Sequence, residues 1–468
     1  MKISTNIENI NEELILILNL FSGRISKRLD RKEVYVDVFV QDGVIDINLS
    51  VDGKIALSRK YHYELDKNEK VSKYEKRFAK IALYEYLSKV TKYKAPWGSL
   101  TGIRPTKLYY EILKKTNNIA TAIDILKNEY LVSENKIQQV LDIAKSQSVV
   151  KVDHNTIDLY INIPFCVSKC YYCSFISMPL DKCKNLVEPY VAALEKDVRK
   201  TLEYIKQSGL QLNTVYVGGG TPTSIGVENL ERVLKILPRD IKELTVEAGR
   251  PDSISKEMFD MFEKYNVHRI SINPQTFNDK TLELIGRKHT AEEVVEAYSL
   301  ARKYRFQINM DLIAGLGKEK FADFKKTMER TLSLNPDNIT VHTLSIKRAS
   351  TLKDGGETSE IKQVQKMVAY ANKMMNKFGY KPYYLYRQKN MLGNLENIGY
   401  AKDGKICEFN INSMEETLSV IACGANAISK RIFYDTNCIE RHANVKNIEQ
   451  YIDRIDEMIE KKFELFSK

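Results

Sequence analysis

In the first 150 residues, apolar and polar positions alternate in three short runs, 33–40, 44–51 and 54–59. That period of two is the signature of strands with one face buried. Gln41-Asp42-Gly43 and Asp52-Gly53 separate the runs with tight-turn dipeptides, so they should form a meander. Between 70 and 91 the apolar positions Phe78, Ile81, Ala82, Tyr84 and Leu87 shift to helical spacing. Ala95-Pro96-Trp97-Gly98 breaks that helix, and LTGIRPTKL (100–108) leads into further helices up to about 147. The lone tryptophan beside glycine and proline serves either as a packing anchor or as a ligand contact. Residues 1–150 thus read as an α+β unit.

At residue 157 the rhythm changes to strands and helices in alternation, which predicts parallel βαβ units. Candidate strands are 159–163, 214–217, 243–247, 269–273, 307–313 and 338–344. Helical patterns at 186–205, 228–237, 256–265, 291–304 and 321–334 separate them. Six strands predict a partial (βα)6 barrel, short of eight-stranded closure, with its site at the C-terminal ends of the strands. A helix at 360–378, an aromatic and polar stretch at 382–400 and an amphipathic helix at 448–463 follow. The expected fold is α/β in three parts: an α+β domain (1–150), the partial barrel (151–380) and a mixed, helical extension (381–468).

Composition narrows the class without choosing a function. The 468 residues suffice for two or three cores, and 43% hydrophobic with 28% charged residues suits a soluble globular protein. No apolar run reaches spanning length, and acidic residues interrupt the apolar N-terminus, so neither a membrane span nor a signal peptide is expected. The net charge of +11 fits a nucleic acid, an anionic membrane or an acidic small molecule as partner, or simply a solvated lysine surface. All seven cysteines lie after residue 165, which favours metal binding in a reducing cytoplasm over a disulfide framework.

The densest chemistry lies in IDLYINIPFCVSKCYYCSFIS (157–177), where Cys166, Cys170 and Cys173 follow an apolar strand as C-x3-C-x2-C. Zinc sites are usually closed by four ligands and iron–sulfur cubanes by four cysteines. Three thiolates on one loop therefore suggest a [4Fe-4S] cluster with one iron left open. The other reading is a zinc knuckle completed by Cys183 or a histidine. Downstream, Gly218-Gly219-Gly220-Thr221 ends the second strand and either lets a ligand approach the backbone closely or is simply a tight strand–helix connection. Glu247, Gln275 and Asp311 stand at or in later strands. Carboxylates there need partners, and Arg287 is a candidate for bidentate pairing. A structural ion pair is the alternative.

The triplet, with Tyr172 before its last cysteine, resembles the radical S-adenosylmethionine (SAM) superfamily. That resemblance implies that the open iron chelates the methionine end of SAM and that an electron from the cluster releases a 5′-deoxyadenosyl radical. With the glycine turn and the strand-end residues, about 155–430 resemble the oxygen-independent coproporphyrinogen III oxidases. LTGIRPTKL and YRQKNMLGNLENIGYA resemble the HemZ-type coproporphyrinogen dehydrogenase branch. The resemblance implies a radical SAM barrel whose extension at 381–468 covers the substrate. It implies Cys166, Cys170 and Cys173 as catalytic cluster ligands, and Tyr160, Tyr172, Gly219, Gly220, Thr221, Glu247, Gln275, Arg287 and Asp311 as SAM contacts. The implied reaction is oxidative decarboxylation of coproporphyrinogen III to protoporphyrinogen IX in haem biosynthesis. It needs a low-potential electron donor and an external acceptor. Guanidinium partners for the propionates would be Arg387 and Arg287, with Arg348 as a third.

The chain departs from that family at three places. Phe175 stands where family members with oxidase chemistry carry a further cysteine, and Asn162 where a histidine is common. Gln388-Lys389-Asn390-Met391 replaces the His-Asn motif of the related haem-chaperone branch. Alternatives are therefore a radical SAM enzyme acting on another tetrapyrrole, by haem methylation or ring opening, and a haem carrier without decarboxylase activity. Nucleic acid is not expected as a partner, because no RNA-binding motif accompanies the basic charge.

Overall fold

The computed structural model describes the chain apart from residues 9, 66–69, 103, 174–176, 346–357, 389–390 and 437. Phe175 and Arg348 therefore lie outside the described residues. The chain divides into two compact units. The first is Met1–Leu141 with short pieces around Arg387 and Gly393, and the second holds the remainder, barrel and C-terminal segment together.

In the first unit, β1 (Lys2–Thr5), β2 (Glu33–Gln41), β3 (Val44–Val51) and β4 (Lys54–His62) form one sheet in that order. The alternation seen in the sequence buries Val34, Val36, Ile45, Ile47 and Leu49 on one face. The helix Val71–Thr91 packs there, contributing Phe78, Ala82 and Leu83. Trp97 is fully buried, with the Arg387 guanidinium 5.3 Å and the Lys136 ammonium 5.5 Å from its ring centre. Arg387 corrects an expectation. It is buried, and its guanidinium donates to the carbonyls of Leu100 (2.9 Å), Asn394 (3.0 Å) and Leu395 (3.4 Å). Those carbonyls and the indole engage its guanidinium within the chain, where a propionate was expected.

In the second unit the strands are β5 (Thr156–Ile163), β6 (Phe165–Cys166), β7 (Met178–Pro179), β8 (Gln211–Gly219), β9 (Glu243–Glu247) and β10 (Arg269–Ser271). They continue with β11 (Gln307–Ala314), β12 (Asn338–Thr343), β13 (Lys381–Tyr386) and β14 (Asn397–Ala401). The last three are β15 (Val420–Cys423), β16 (Ile428–Phe433) and β17 (Cys438–Ala443). Eleven of them make one sheet in the order β13-β14-β12-β11-β10-β9-β8-β5-β15-β16-β17. The six expected strands form its parallel centre, β5 to β12, open at both sides. Both edges are then extended from beyond residue 380: β14 and β13 pair antiparallel onto β12, and β15 adds a further parallel strand to β5.

Alternation along the central strands sorts the side chains. Ile161, Val215, Val217, Leu244, Val246, Ile270, Ile308 and Met310 pack with the helices in one continuous core. The intervening positions, among them Tyr160, Asn162, Tyr216, Thr245, Glu247, Asn309 and Asp311, take the other face. The segment after residue 404 covers its N-terminal end. Arg269 donates to the carbonyls of Lys405 and Ile406, and Phe409 stacks on Tyr216 at 4.8 Å and on Tyr160 at 6.3 Å.

Candidate functional site

Leaving β5, the chain passes Pro164 into β6, which pairs parallel with β7, Phe165 beside Met178 and Cys166 beside Pro179. Cys166 and Cys170 are buried, Cys173 is partly exposed, and the Cys173 amide donates to the Cys170 carbonyl at 3.0 Å. The loops after β9, β10 and β11 grip this one. Ser168 donates to the Gly286 carbonyl (2.9 Å), Tyr171 N–H to the Ile285 carbonyl (3.2 Å), and Gly317 N–H to the Tyr171 hydroxyl (3.1 Å). Arg250 holds the Asp252 carboxylate with two nitrogens at 2.9 and 2.7 Å and donates to the Ser168 hydroxyl at 2.8 Å with the third. Arg287 donates to the Asn273 carbonyl and also hydrogen-bonds Cys170 and Tyr172.

The glycine turn lies against the cysteine strand. Gly220 N–H donates to the Ile163 carbonyl (2.9 Å) and Thr221 N–H to that of Phe165 (2.7 Å), while the Thr221 hydroxyl meets Cys166 Sγ at 3.1 Å. A Cβ on Gly220 would lie 2.3 Å from the Phe165 carbonyl oxygen, and one on Gly219, whose φ is +118°, 2.3 Å from Asn162 Oδ1. The close approach these glycines allow is therefore made first by the chain itself.

Beyond the turn, Tyr160 donates to Asn162 Oδ1 at 3.0 Å, and Tyr216 donates to Glu247 Oε1 at 2.7 Å. Burial pushes the Glu247 carboxyl up to about 7. Asp311 adds to that rise, while the Tyr216 hydroxyl and Gly219 N–H pull against it. Asp311 behaves the opposite way. Burial would raise it, but His342, Asn309 and Thr340 outweigh burial and hold it below the usual carboxylate range. Asn309 donates to it at 2.8 Å, His342 Nε2 stands 3.8 Å away, and Tyr386 meets His342 Nδ1 at 3.4 Å. Gln275, in left-handed backbone at φ +64°, continues the ladder past β10 through Asp311 O and Ile313 N.

The structure thus gathers Cys166, Cys170, Tyr172, Gly220, Thr221 and Arg287 around the loop, and Tyr160, Gly219 and Glu247 beside it. Gln275 and Asp311 share the adjoining strand pair. The pairing expected of Arg287 with a strand carboxylate is corrected: its partners are a carbonyl, a thiol and a phenol. Arg250, Asn273 and His342 escaped the sequence reading, because each owes its place to a partner remote in sequence. Arg250 left one trace, an arginine three residues after the strand-end Glu247.

These residues fit an iron–sulfur cluster and SAM. Each cysteine of a cubane binds a different iron. Among the described residues no three His, Cys, Asp or Glu side chains are gathered tightly enough for one shared ion. Two buried polar atoms at the site, Arg287 Nε and Gln275 Oε1, find no hydrogen-bond partner among the described residues. A donor and an acceptor left open in this way suit the carboxylate and ammonium of an amino acid.

Residues 160–331 match the Radical SAM superfamily, the class that the parallel sheet and three-cysteine loop define. The oxygen-independent coproporphyrinogen-III oxidase-like protein HemZ of Bacillus subtilis is 40% identical over 380 residues, 78% of this chain and 76% of that protein. The heme chaperone HemW of the same organism is 33% identical over 195 residues, 40% of this chain and 50% of its own length. The coproporphyrinogen III oxidase HemN of Escherichia coli shares the fold, with a TM-score of 0.51 and 22% identity over 68% of this chain and 73% of that one. The chain belongs to the HemN/HemZ-type family of radical SAM proteins. Its cofactors are a [4Fe-4S] cluster and SAM. Among the described residues no helix is long and apolar enough to cross a membrane.

Proposed function

We propose that the protein decarboxylates coproporphyrinogen III oxidatively, without oxygen, to protoporphyrinogen IX. The observation that carries this is the convergence of Cys166, Cys170, Gly219, Glu247 and Asp311 at one end of the sheet. Such a convergence supports radical chemistry at this end of the sheet. The tetrapyrrole is chosen by kinship with the oxidase-like relative. When bound, the cluster and SAM supply a carbon-centred radical able to take a hydrogen atom. Cys166, Cys170 and Cys173 hold the cluster, and Arg287 and Gln275 offer their open donor and acceptor to the methionine carboxylate and ammonium. Glu247 and Asp311 add negative charge facing the cationic end. Tyr160, Tyr216 and Phe409 close the floor and exclude water. At each of two propionates the substrate gives up one β-hydrogen atom, carbon dioxide and one electron, the last to an external acceptor, and a vinyl group remains.

Haem binding without turnover is the second reading, favoured by the identity to the heme chaperone. His342, at the mouth, has both ring nitrogens facing partners, which weighs against it as an axial ligand. Reconstituted protein incubated anaerobically with SAM, reductant and acceptor separates the two. Coproporphyrinogen III should release 5′-deoxyadenosine and lose two carboxyl groups, and deuterium from the propionate β-carbon should appear in the deoxyadenosine. Turnover of haem in its place would overturn the proposal in favour of haem modification. Tight haem binding with neither substrate consumed would establish the carrier.

A further inference from the structure

Asn162 engages both side-chain polar atoms and its own carbonyl. Its Oδ1 accepts from the Tyr160 hydroxyl at 3.0 Å, its Nδ2 donates to the Ala425 carbonyl at 2.6 Å, and its own carbonyl accepts from the Tyr190 hydroxyl at 2.7 Å. Two glycines close on it from opposite neighbours. A Cβ on Gly219 would stand 2.3 Å from Asn162 Oδ1, and one on Gly424 would stand 2.4 Å from the Asn162 carbonyl oxygen. The side chain is thus clamped between the end of β8 and the end of β15, with the Tyr160 hydroxyl as its third contact.

The β15 side of this clamp is held from the end of the chain. Lys462, on the helix Ile455–Ser467, and Asp197, on the helix Lys184–Gln207, form a fully buried ion pair. Asp197 Oδ2 accepts from Gly424 N–H at 3.1 Å and from Tyr451 at 2.7 Å, while Lys462 also reaches the Ala422 carbonyl at 3.3 Å and Cys423 Sγ at 3.4 Å. Tyr190 accepts from Ala425 N–H at 3.1 Å, so residues 422–425 are fixed at four consecutive positions. Buried ion pairs are poor stabilisers, because apolar groups of the same size often serve as well. This pair does something an apolar group cannot: it directs a carboxylate oxygen at one backbone amide.

We propose that Asn162 is a positioning residue for the SAM seat and that Asp197 and Lys462 hold it in register from the C-terminal helix. This rests on reading Tyr160 and Gly219 as cofactor contacts. Without the Asn162 side chain the Tyr160 hydroxyl loses its acceptor and the glycine turn its backing. Asn162→Ala in the full-length reconstituted protein should keep its iron and weaken SAM about tenfold, the loss expected for one or two hydrogen bonds. In the same variant without cofactors, amide exchange at 217–221 should speed up. The paired change Asp197→Asn, Lys462→Met should weaken SAM in the same direction. Unchanged affinity and exchange in Asn162→Ala overturn the proposal. A paired variant that melts earlier yet binds SAM as before overturns the role of the ion pair, and if it does not fold, Asn162→Ala decides alone. Tyr160→Phe separates the proposal from its premise. Weakened binding there with none in Asn162→Ala refutes only the positioning role, and no effect in either places the seat elsewhere.

Discussion

At the scale of single residues, the two strand carboxylates are tuned apart by neighbours on different strands. Glu247 faces Tyr216, Tyr160, Gly219 N–H and Asp311, and burial dominates, so these surroundings favour its protonated form up to about pH 7. The folded-state value lies above that of the unfolded chain, so this group stabilises at low pH and its contribution is lost as pH rises toward 7. A bound ammonium reverses the preference, because it favours the ionised form. SAM affinity should therefore fall as pH drops below about 7, approaching tenfold per unit, and level off above it. Titration calorimetry across pH checks this, and Glu247→Gln should flatten the profile. A flat profile in the wild type, or the same slope in the variant, refutes the assignment. Residue types were legible in sequence here, because charge in an apolar strand stands out. Partners were not. Arg387, an arginine in a polar stretch, turned out to be enclosed by Trp97 and three carbonyls.

At the scale of elements, the cysteine loop is held less by itself than by the loops after β9, β10 and β11. Arg250 is the bracket, bidentate to Asp252 and bonded to the middle of the loop at Ser168. Arg250→Ala should leave the fold intact, yet lower iron uptake on reconstitution several-fold or make the cluster more oxygen-labile, read by iron analysis and visible absorption. Normal loading and lifetime would show the bracket to be dispensable. By contrast, Cys166→Ala, Cys170→Ala or Cys173→Ala should each lose all of about four irons together. Cys183→Ala, Cys407→Ala and Cys438→Ala should lose none. The central strands and their helices were legible because each is flanked by an amphipathic helix of ordinary length, 321–334 matching to the residue. The edge strands were not. β15 has four residues, all buried, and so shows no alternation. The terminal helix also proved to be two, with a break at Arg454.

At the scale of the molecule, the second unit depends on its last fifty residues for the flank of the strand that carries the cysteines. A chain ended after residue 419 keeps every proposed cluster ligand and loses β15, β16 and β17, leaving β5 with an unpaired edge. Such a chain should aggregate when expressed, and any soluble fraction should show no measurable SAM binding. A soluble, SAM-binding truncation would show β15 to be an ornament of the sheet. The order in which the chain is made gives this topology a further meaning. Cys166, Cys170 and Cys173 emerge early, whereas the strand that seals β5 emerges only near the end, some tens of seconds later at about 5–20 residues per second. For that interval a nascent chain has its thiols in place and the Asn162 clamp still open, because Ala425 has not yet arrived. On the proposed reading of that clamp, the thiols are present before the seat for SAM is complete. The fold thus sets an order of completion, with the ligating thiols first and the flank of their strand last.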